Sequence, residues 1–313
     1  MTSKNDSLAL VFPGQGSQSV GMMKGFADRA IVQQTFREAA DLVGVDYWAM
    51  VSEGPAELLG QTVNTQPLML VAGVACWRAW QEAGGPMPAW FAGHSLGEYT
   101  ALVAAGAMRF EDAVPLVRLR AQAMQEAVPE GTGGIAAILG LDEAKLREVC
   151  EQAAQGEVLE PANLNSPGQV VIAGHRAAVE RGMALAREKG AKRAVMLPMS
   201  APSHCSLMKP AAEKLRARLE AIEIRKPQIP VIHNRYVESF DDPAKIRAAL
   251  VEQLYSPVRW IETIELLGRK GVQRVVECGP GKVLTGLSKR IVPDIEYLSI
   301  TDTAALDAAA AKG

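Results

Sequence analysis

The stretch PAWFAGHSLGEYTALVAAG, residues 88–106, sets a serine between two glycines: Gly93-His94-Ser95-Leu96-Gly97. The apolar run 88–92 reads as a short strand, and residues 95–106 follow with helical periodicity. Strand, glycine, serine, glycine, helix is the order a nucleophile elbow requires. Its tight turn lifts the serine hydroxyl at the carboxyl edge of a sheet, and small flanking residues let the two arms approach. At the helix start the Leu96 N–H would face a developing oxyanion. Serine also caps helices well, so a purely capping Ser95 is the competing reading.

Outward from this turn the chain alternates strands and helices. Upstream, residues 8–12 form a β-type run ended by Pro13-Gly14-Gln15-Gly16, and 31–43 and 64–83 are helical, the second with Asn64 as its N-cap. A helix at 111–128 follows the elbow. Short connections between alternating strands and helices imply a mostly parallel sheet covered by helices. The rhythm then changes. Strand 133–140, helix 142–154, strands near 157–162 and at 169–173, helix 176–189 and strand 193–198 spell β-α-β-β-α-β, the ferredoxin-like split unit. Residues 131–134 and 198–202 are its expected hinges. The α/β rhythm resumes with helix 205–221, strand 230–233, helices 243–254 and 258–270, strand 272–277, helix 282–290 and strand 295–299. The Ala-rich tail is expected to fray. The expected organisation is a large α/β domain, 1–131 and 199–313, interrupted by a small α+β subdomain, 132–198, with a site in the cleft between them.

Composition narrows the function. With 33 Lys+Arg against 35 Asp+Glu, the net charge of −2 gives no bulk reason to expect nucleic acid or a membrane surface as partner. The four cysteines (Cys76, Cys150, Cys205, Cys278) are scattered and read as reduced core thiols. The N-terminal apolar run is too short for a signal-peptide core or a span, so a cytoplasmic protein is expected. Gly279-Pro280-Gly281-Lys282 fails as a phosphate loop, because Val283 stands where Ser or Thr is needed. No His/Cys cluster has metal-ligand spacing.

A nucleophilic serine needs a base, and the chain has four histidines: His94, His175, His204 and His233. His94, next to Ser95 in the turn, is expected to point away from it, and His175 is expected at the surface. His204, in the loop Ser200-Ala201-Pro202-Ser203-His204-Cys205 where the chain re-enters the large domain, stands ahead of His233 by position. No acid between Ser95 and His204 reads as buried, so no Ser-His-Asp triad emerges. A backbone carbonyl can orient the histidine instead. About a third of the chain follows His204, which an ordinary α/β-hydrolase frame would not allow.

Taken together, the blocks FPGQGSQ from Phe12, NTQPLML from Asn64, GHSLGEYTAL around Ser95, RAQAMQEAVPEGTG from Arg120, NLNSPGQVVIAG from Asn163, SAPSHCSLMKPA around His204, QLYSPVRW from Gln253 and ECGPGKVLTGL from Glu277 resemble the malonyl-CoA:acyl-carrier-protein transacylases of fatty-acid synthesis. They run in order over nearly the whole chain. The resemblance implies a hydrolase-like α/β core with a ferredoxin-like insert. It implies Ser95 as nucleophile, His204 as base, the backbone N–H groups of Gln15 and Leu96 as oxyanion hole, and the Gln253 carbonyl as the group holding His204. Arg120 matches the arginine that pairs with the malonyl carboxylate. A guanidinium fork suits that task, provided Arg120 and not Arg118 faces the cleft. His94, Gln66 and Asn165 are expected to line the pocket or support the turn. The implied substrate is malonyl-CoA and the implied acceptor a holo acyl carrier protein bearing phosphopantetheine, with no cofactor or metal and a monomer as the expected state. A polyketide-pathway acyltransferase, a thioesterase and a non-catalytic carrier-binding scaffold are the alternatives.

Overall fold

The computed structural model describes residues 4–199 and 201–312. The apolar run 8–12 lies in β1 (Lys4–Phe12), and all five of its residues are buried. A strand buried at successive positions is covered on both faces, as in a helix-sandwiched parallel sheet. β2 (Met87–Gly93) pairs with β1 in parallel, with Gly93 opposite Phe12. Next in the chain come β3 (Gly133–Leu139), β4 (Leu159–Ser166), β5 (Gln169–His175) and β6 (Arg193–Met196), then β7 (Val231–His233), β8 (Glu238–Ser239), β9 (Arg274–Glu277) and β10 (Glu296–Ser299).

The fold is α/β, with one mixed, mainly parallel sheet and a separate antiparallel one. The six-stranded sheet has the order β10-β9-β1-β2-β7-β8, parallel except for the β7–β8 pair. The chain works outward from β1 through β2 and β7, then returns to lay β9 on the other side of β1. That reversal opens a crevice at the carboxyl ends of the central strands, where open α/β sheets bind ligands. The four-stranded sheet has the order β4-β5-β3-β6, antiparallel throughout. Alternation splits its residues between two faces. Ala136 and Ile138 pack with the helices Glu143–Ala154 and Arg176–Glu188, while Ile135, Val171 and Ala173 turn to Cys205, beside His204. Leu164 N–H donates to the Val258 carbonyl, and Val258 N–H to that of Ala162, each at 2.9 Å. These bonds tie β4 to the large unit.

Two sequence expectations need correcting, and one region the sequence left unread is filled. The helix Thr62–Glu82 begins before Asn64, which sits in its first turn and donates to the Leu58 carbonyl. Two helices, Tyr47–Glu53 and Ala56–Gly60, fill a region too short-patterned to read. The Ala-rich tail does not fray: the helix Thr303–Ala310 is capped by Asp302 and buries Leu306, Ala309 and Ala310. Small residues there let the helix lie close to its neighbours, and low polarity was burial rather than disorder. Among the described residues no helix is long and apolar enough to cross a membrane.

The turn after β2 is so tight that its glycines are obligatory. A Cβ at Gly93 would fall 1.9 Å from the Gly97 carbonyl carbon, and one at Gly97 would fall 2.0 Å from the Phe12 carbonyl oxygen. Both clashes are with backbone, which cannot swing aside. Gly97→Ala is therefore expected to destabilise the protein by about 3 kcal/mol or more, at or above the upper range of ordinary overpacking. Urea unfolding followed by circular dichroism measures this, and an unchanged midpoint would contradict the packing.

Candidate active site

Ser95 does not cap the helix it precedes. The helix Gly97–Ala104 has Leu96 at its N-cap with no side-chain capping bond, and the Ser95 hydroxyl points elsewhere. Its Oγ donates to His204 Nε2 at 2.7 Å. The ring's other nitrogen, Nδ1, donates to the backbone carbonyl of Gln253 at 2.9 Å. A carbonyl can only accept, so Nδ1 carries the proton and Nε2 is left free to take one from the serine. Four non-glycine residues among those described have positive φ, and two of them are this bonded pair, Ser95 at 51° and His204 at 64°. Side chains rarely tolerate that conformation, so the surroundings must hold it. The His204 loop is anchored on both flanks. His204 N–H donates to the Leu254 carbonyl, and the Ser206 amide and hydroxyl both donate to the Glu160 carboxylate on β4.

A cavity of about 330 Å³ opens at the elbow, between the carboxyl ends of β1 and β2 and the inner face of the antiparallel sheet. Ser95, Leu96 and Gln15 line it at one end. Gly14 brings the Gln15 turn against the elbow: a Cβ there would lie 2.5 Å from the His94 carbonyl oxygen and 3.6 Å from the Leu96 nitrogen. Among the described residues neither the Gln15 nor the Leu96 backbone N–H donates to another backbone or side-chain group. Across the cavity, His94 Nε2 bonds Asn165 Oδ1 at 2.8 Å and the ring packs on Trp260. His94 thus turns from the Ser95 hydroxyl, as its place in the turn predicts, yet it still forms pocket wall.

Arg120 is the most unusual group in the site. It is 1% exposed and forms no ion pair among the described residues. Nη1 donates to Gln66 Oε1 at 2.6 Å, Nη2 to Gln253 Oε1 at 3.0 Å and to Ser95 Oγ at 3.2 Å, and the guanidinium stands over the Tyr99 ring. Burial lowers its proton affinity. Two residues away on the same helix, Arg118 reaches outward to the Val43 carbonyl, because a two-residue step rotates the side chain about 200°. Gln66, expected to line the pocket, chiefly holds Arg120. His204 is pushed down to about 3, first by burial and next by the nearby Arg120 charge. Burial also lowers His94.

Sequence reasoning missed a buried acid. Glu98, one turn beyond Ser95, is fully buried. It serves His233 and not His204: Oε1 accepts from His233 Nδ1 at 2.7 Å, while Oε2 accepts from Asn234 N–H at 2.9 Å and Gln253 Nε2 at 2.8 Å. His233 is accordingly core, and His175 lies away from the elbow, its Nδ1 accepting from Val158 N–H. Glu98 in GHSLGEY looks like an ordinary first-turn acid at a helix N-terminus. Nothing local marks it as buried. The side chain of Gln253 was missed too: besides Arg120 and Glu98 it binds the Ser95 carbonyl at 2.9 Å.

The acyl transferase domain family matches residues 9–297. The malonyl CoA-acyl carrier protein transacylase of Salmonella typhimurium is 56% identical over 302 residues, 96% of this chain and 98% of the relative. This chain belongs to the malonyl CoA-acyl carrier protein transacylase family. The crystal structure of the acyl-carrier-protein S-malonyltransferase of Burkholderia pseudomallei superposes on this acyl transferase with a TM-score of 0.96. It is 55% identical, covering 97% of this chain and 99% of that one. A malonyl-transacylase solved in complex with a type II PKS acyl-carrier protein gives 0.97 at 52% identity, over 98% and 100% of the two chains.

The lowered His204 value carries a pH signature for this acyl transferase. A depressed histidine stays neutral, and so able to accept a proton, well below the ordinary range. The acid limb of kcat/KM for malonyl-CoA is therefore expected nearer 3 than the ordinary 6.5. Stopped-flow acylation over a pH series measures it, and a limb at the ordinary histidine value would refute the assignment.

Proposed function

We propose that this chain transfers the malonyl group of malonyl-CoA to the phosphopantetheine thiol of a holo acyl carrier protein, through a malonyl ester on Ser95. The observation that carries this reading is Arg120, a buried cation with no anionic partner among the described residues, in contact with the serine that would bear the acyl group. An isolated buried charge is costly, and a carboxylate delivered by the substrate supplies the missing partner. An acetyl group would leave the guanidinium unpaired, which is a basis for selecting malonyl.

In the first half-reaction His204 Nε2 takes the proton of Ser95 Oγ as the oxygen attacks the thioester carbonyl. The Gln15 and Leu96 amides receive the oxyanion, each worth about 3 kcal/mol in the transition state. His204 then protonates the departing CoA thiolate. In the second half the carrier thiol gives its proton to His204 and attacks the ester, and Ser95 recovers its proton. The malonyl carboxylate also offsets the Arg120 charge, one of the two chief causes of His204's weakness as a base. His94 and Asn165 shape the wall that meets the acyl chain. In this scheme no metal or cofactor takes part.

The architecture fits the same reading. The strand order 2-3-1-4 within β3–β6 supports a ferredoxin-like subdomain at 132–198, set into a hydrolase-like core of 1–131 and 199–313. We take the active unit to be a cytoplasmic monomer with no membrane or nucleic-acid partner. A polyketide-pathway carrier is the second reading of the acceptor, favoured by the likeness to the transacylase solved with such a carrier. Transfer rates to fatty-acid and polyketide carriers separate the two.

Incubation with malonyl-CoA alone is expected to add one malonyl group at Ser95, seen by intact-protein and peptide mass spectrometry. Ser95→Ala should show no adduct, and transfer at a normal rate by that variant would sink the mechanism. Arg120→Ala should lower kcat/KM for malonyl-CoA by about 100-fold, near 2.7 kcal/mol, while acetyl transfer holds or rises. Unchanged malonyl preference would remove Arg120 from the substrate site.

A further inference from the structure

The strained elbow is held from outside its own sequence. Asn234, which directly follows β7, is fully buried, and its side chain grips the turn at two points. Oδ1 accepts from Ser95 N–H at 2.7 Å, and Nδ2 donates to the Gly93 carbonyl at 2.6 Å. The two bonds brace opposite ends of Gly93-His94-Ser95. Asn234 is itself held, since its own N–H donates to Glu98 Oε2. Among the described residues the Glu98 carboxyl accepts from His233, Asn234 and Gln253.

The geometry points to Asn234 as a positioning residue for the nucleophile. The Ser95 N–H leaves the strand ladder and meets the Asn234 side chain just after β7, and at φ 51° its side chain takes a left-handed direction. Capturing it on Asn234 fixes the direction of Cα–Cβ, hence the 2.7 Å bond from Oγ to His204. It also leaves the next amide, Leu96 N–H, as the one directed at the cavity. Asparagine suits the place because one short side chain supplies both the acceptor and the donor that the turn demands. Glu98 acts behind it, fixing the backbone from which Asn234 reaches. Neither residue touches the acyl group, so their effect should fall on turnover rather than on substrate binding.

This inference rests on Ser95 being the nucleophile, and the test separates the two. The probe is a fluorophosphonate, which reports Ser95 reactivity without using Arg120, together with malonyl-CoA kinetics. If the parent protein is not labelled at Ser95, the proposed function fails. Given a labelled parent, Asn234→Ala is expected to lower kcat and the labelling rate in parallel by about 100-fold, the cost of a small misplacement, with KM within about twofold. Asn234→Asp, which keeps the acceptor for Ser95 N–H and loses the amide donor to Gly93, should fall between. A folded Asn234→Ala protein with labelling and kcat within twofold of the parent would overturn the inference. So would a loss confined to KM. If neither variant folds by circular dichroism, Asn234 serves stability alone and the positioning role is rejected.

Discussion

Arg120 is a cation kept out of water with no anion beside it among the described residues, and much of the site is arranged around that fact. Desolvating a guanidinium costs several kcal/mol unless other groups replace its hydration. Here the replacement is dipolar: the side-chain amide oxygens of Gln66 and Gln253, the Ser95 hydroxyl and the Tyr99 ring. The nearest buried acid, Glu98, is one amide removed, relayed through Gln253. A carboxylate bonded directly would have quenched the charge. Neutral partners hold the cation in place and leave it able to take an anion.

Gln253 joins the parts. Its backbone oxygen orients His204, while its side chain binds the Ser95 carbonyl, Glu98 and Arg120. The amide can lie only one way, because Ser95 O and Glu98 need its NH2 and Arg120 needs its oxygen. His204, Ser95 and Arg120 are therefore all set by one residue at the end of the helix Pro243–Gln253. Two left-handed residues, each costing about 1–3 kcal/mol of strain, persist because several bonds over-determine them.

Local pattern carried much of the fold. The buried run 8–12, the strand into Gly93 and the β-α-β-β-α-β order of the middle third were legible because side-chain period and turn residues act over a few positions. The short helices between residues 44 and 61 offered too little period, and the tail hid its burial behind alanine. For the site, Ser95 was legible from the strand–glycine–helix frame. Position put His204 ahead of the other histidines, whereas Arg120 and Gln253 needed the resemblance to distinguish them from other residues of their type. Asn234 and Glu98 had no local signal, for one follows a three-residue strand and the other resembles any first-turn glutamate.

By itself the sequence determined the sharp turn at Gly93-His94-Ser95-Leu96-Gly97, since glycine alone fits where a Cβ would meet backbone at about 2 Å. It also determined the alternation that puts that turn at a sheet's carboxyl edge. Only the tertiary structure decided which histidine meets the serine, which arginine is buried, and that the buried acid serves His233 rather than the base. Those outcomes depend on contacts between residues far apart in the chain: 54 positions for Arg120–Gln66, 109 for Ser95–His204 and 135 for Glu98–His233. Local propensity acts within a few residues, whereas such contacts arise only when the strands, helices and the second sheet have packed.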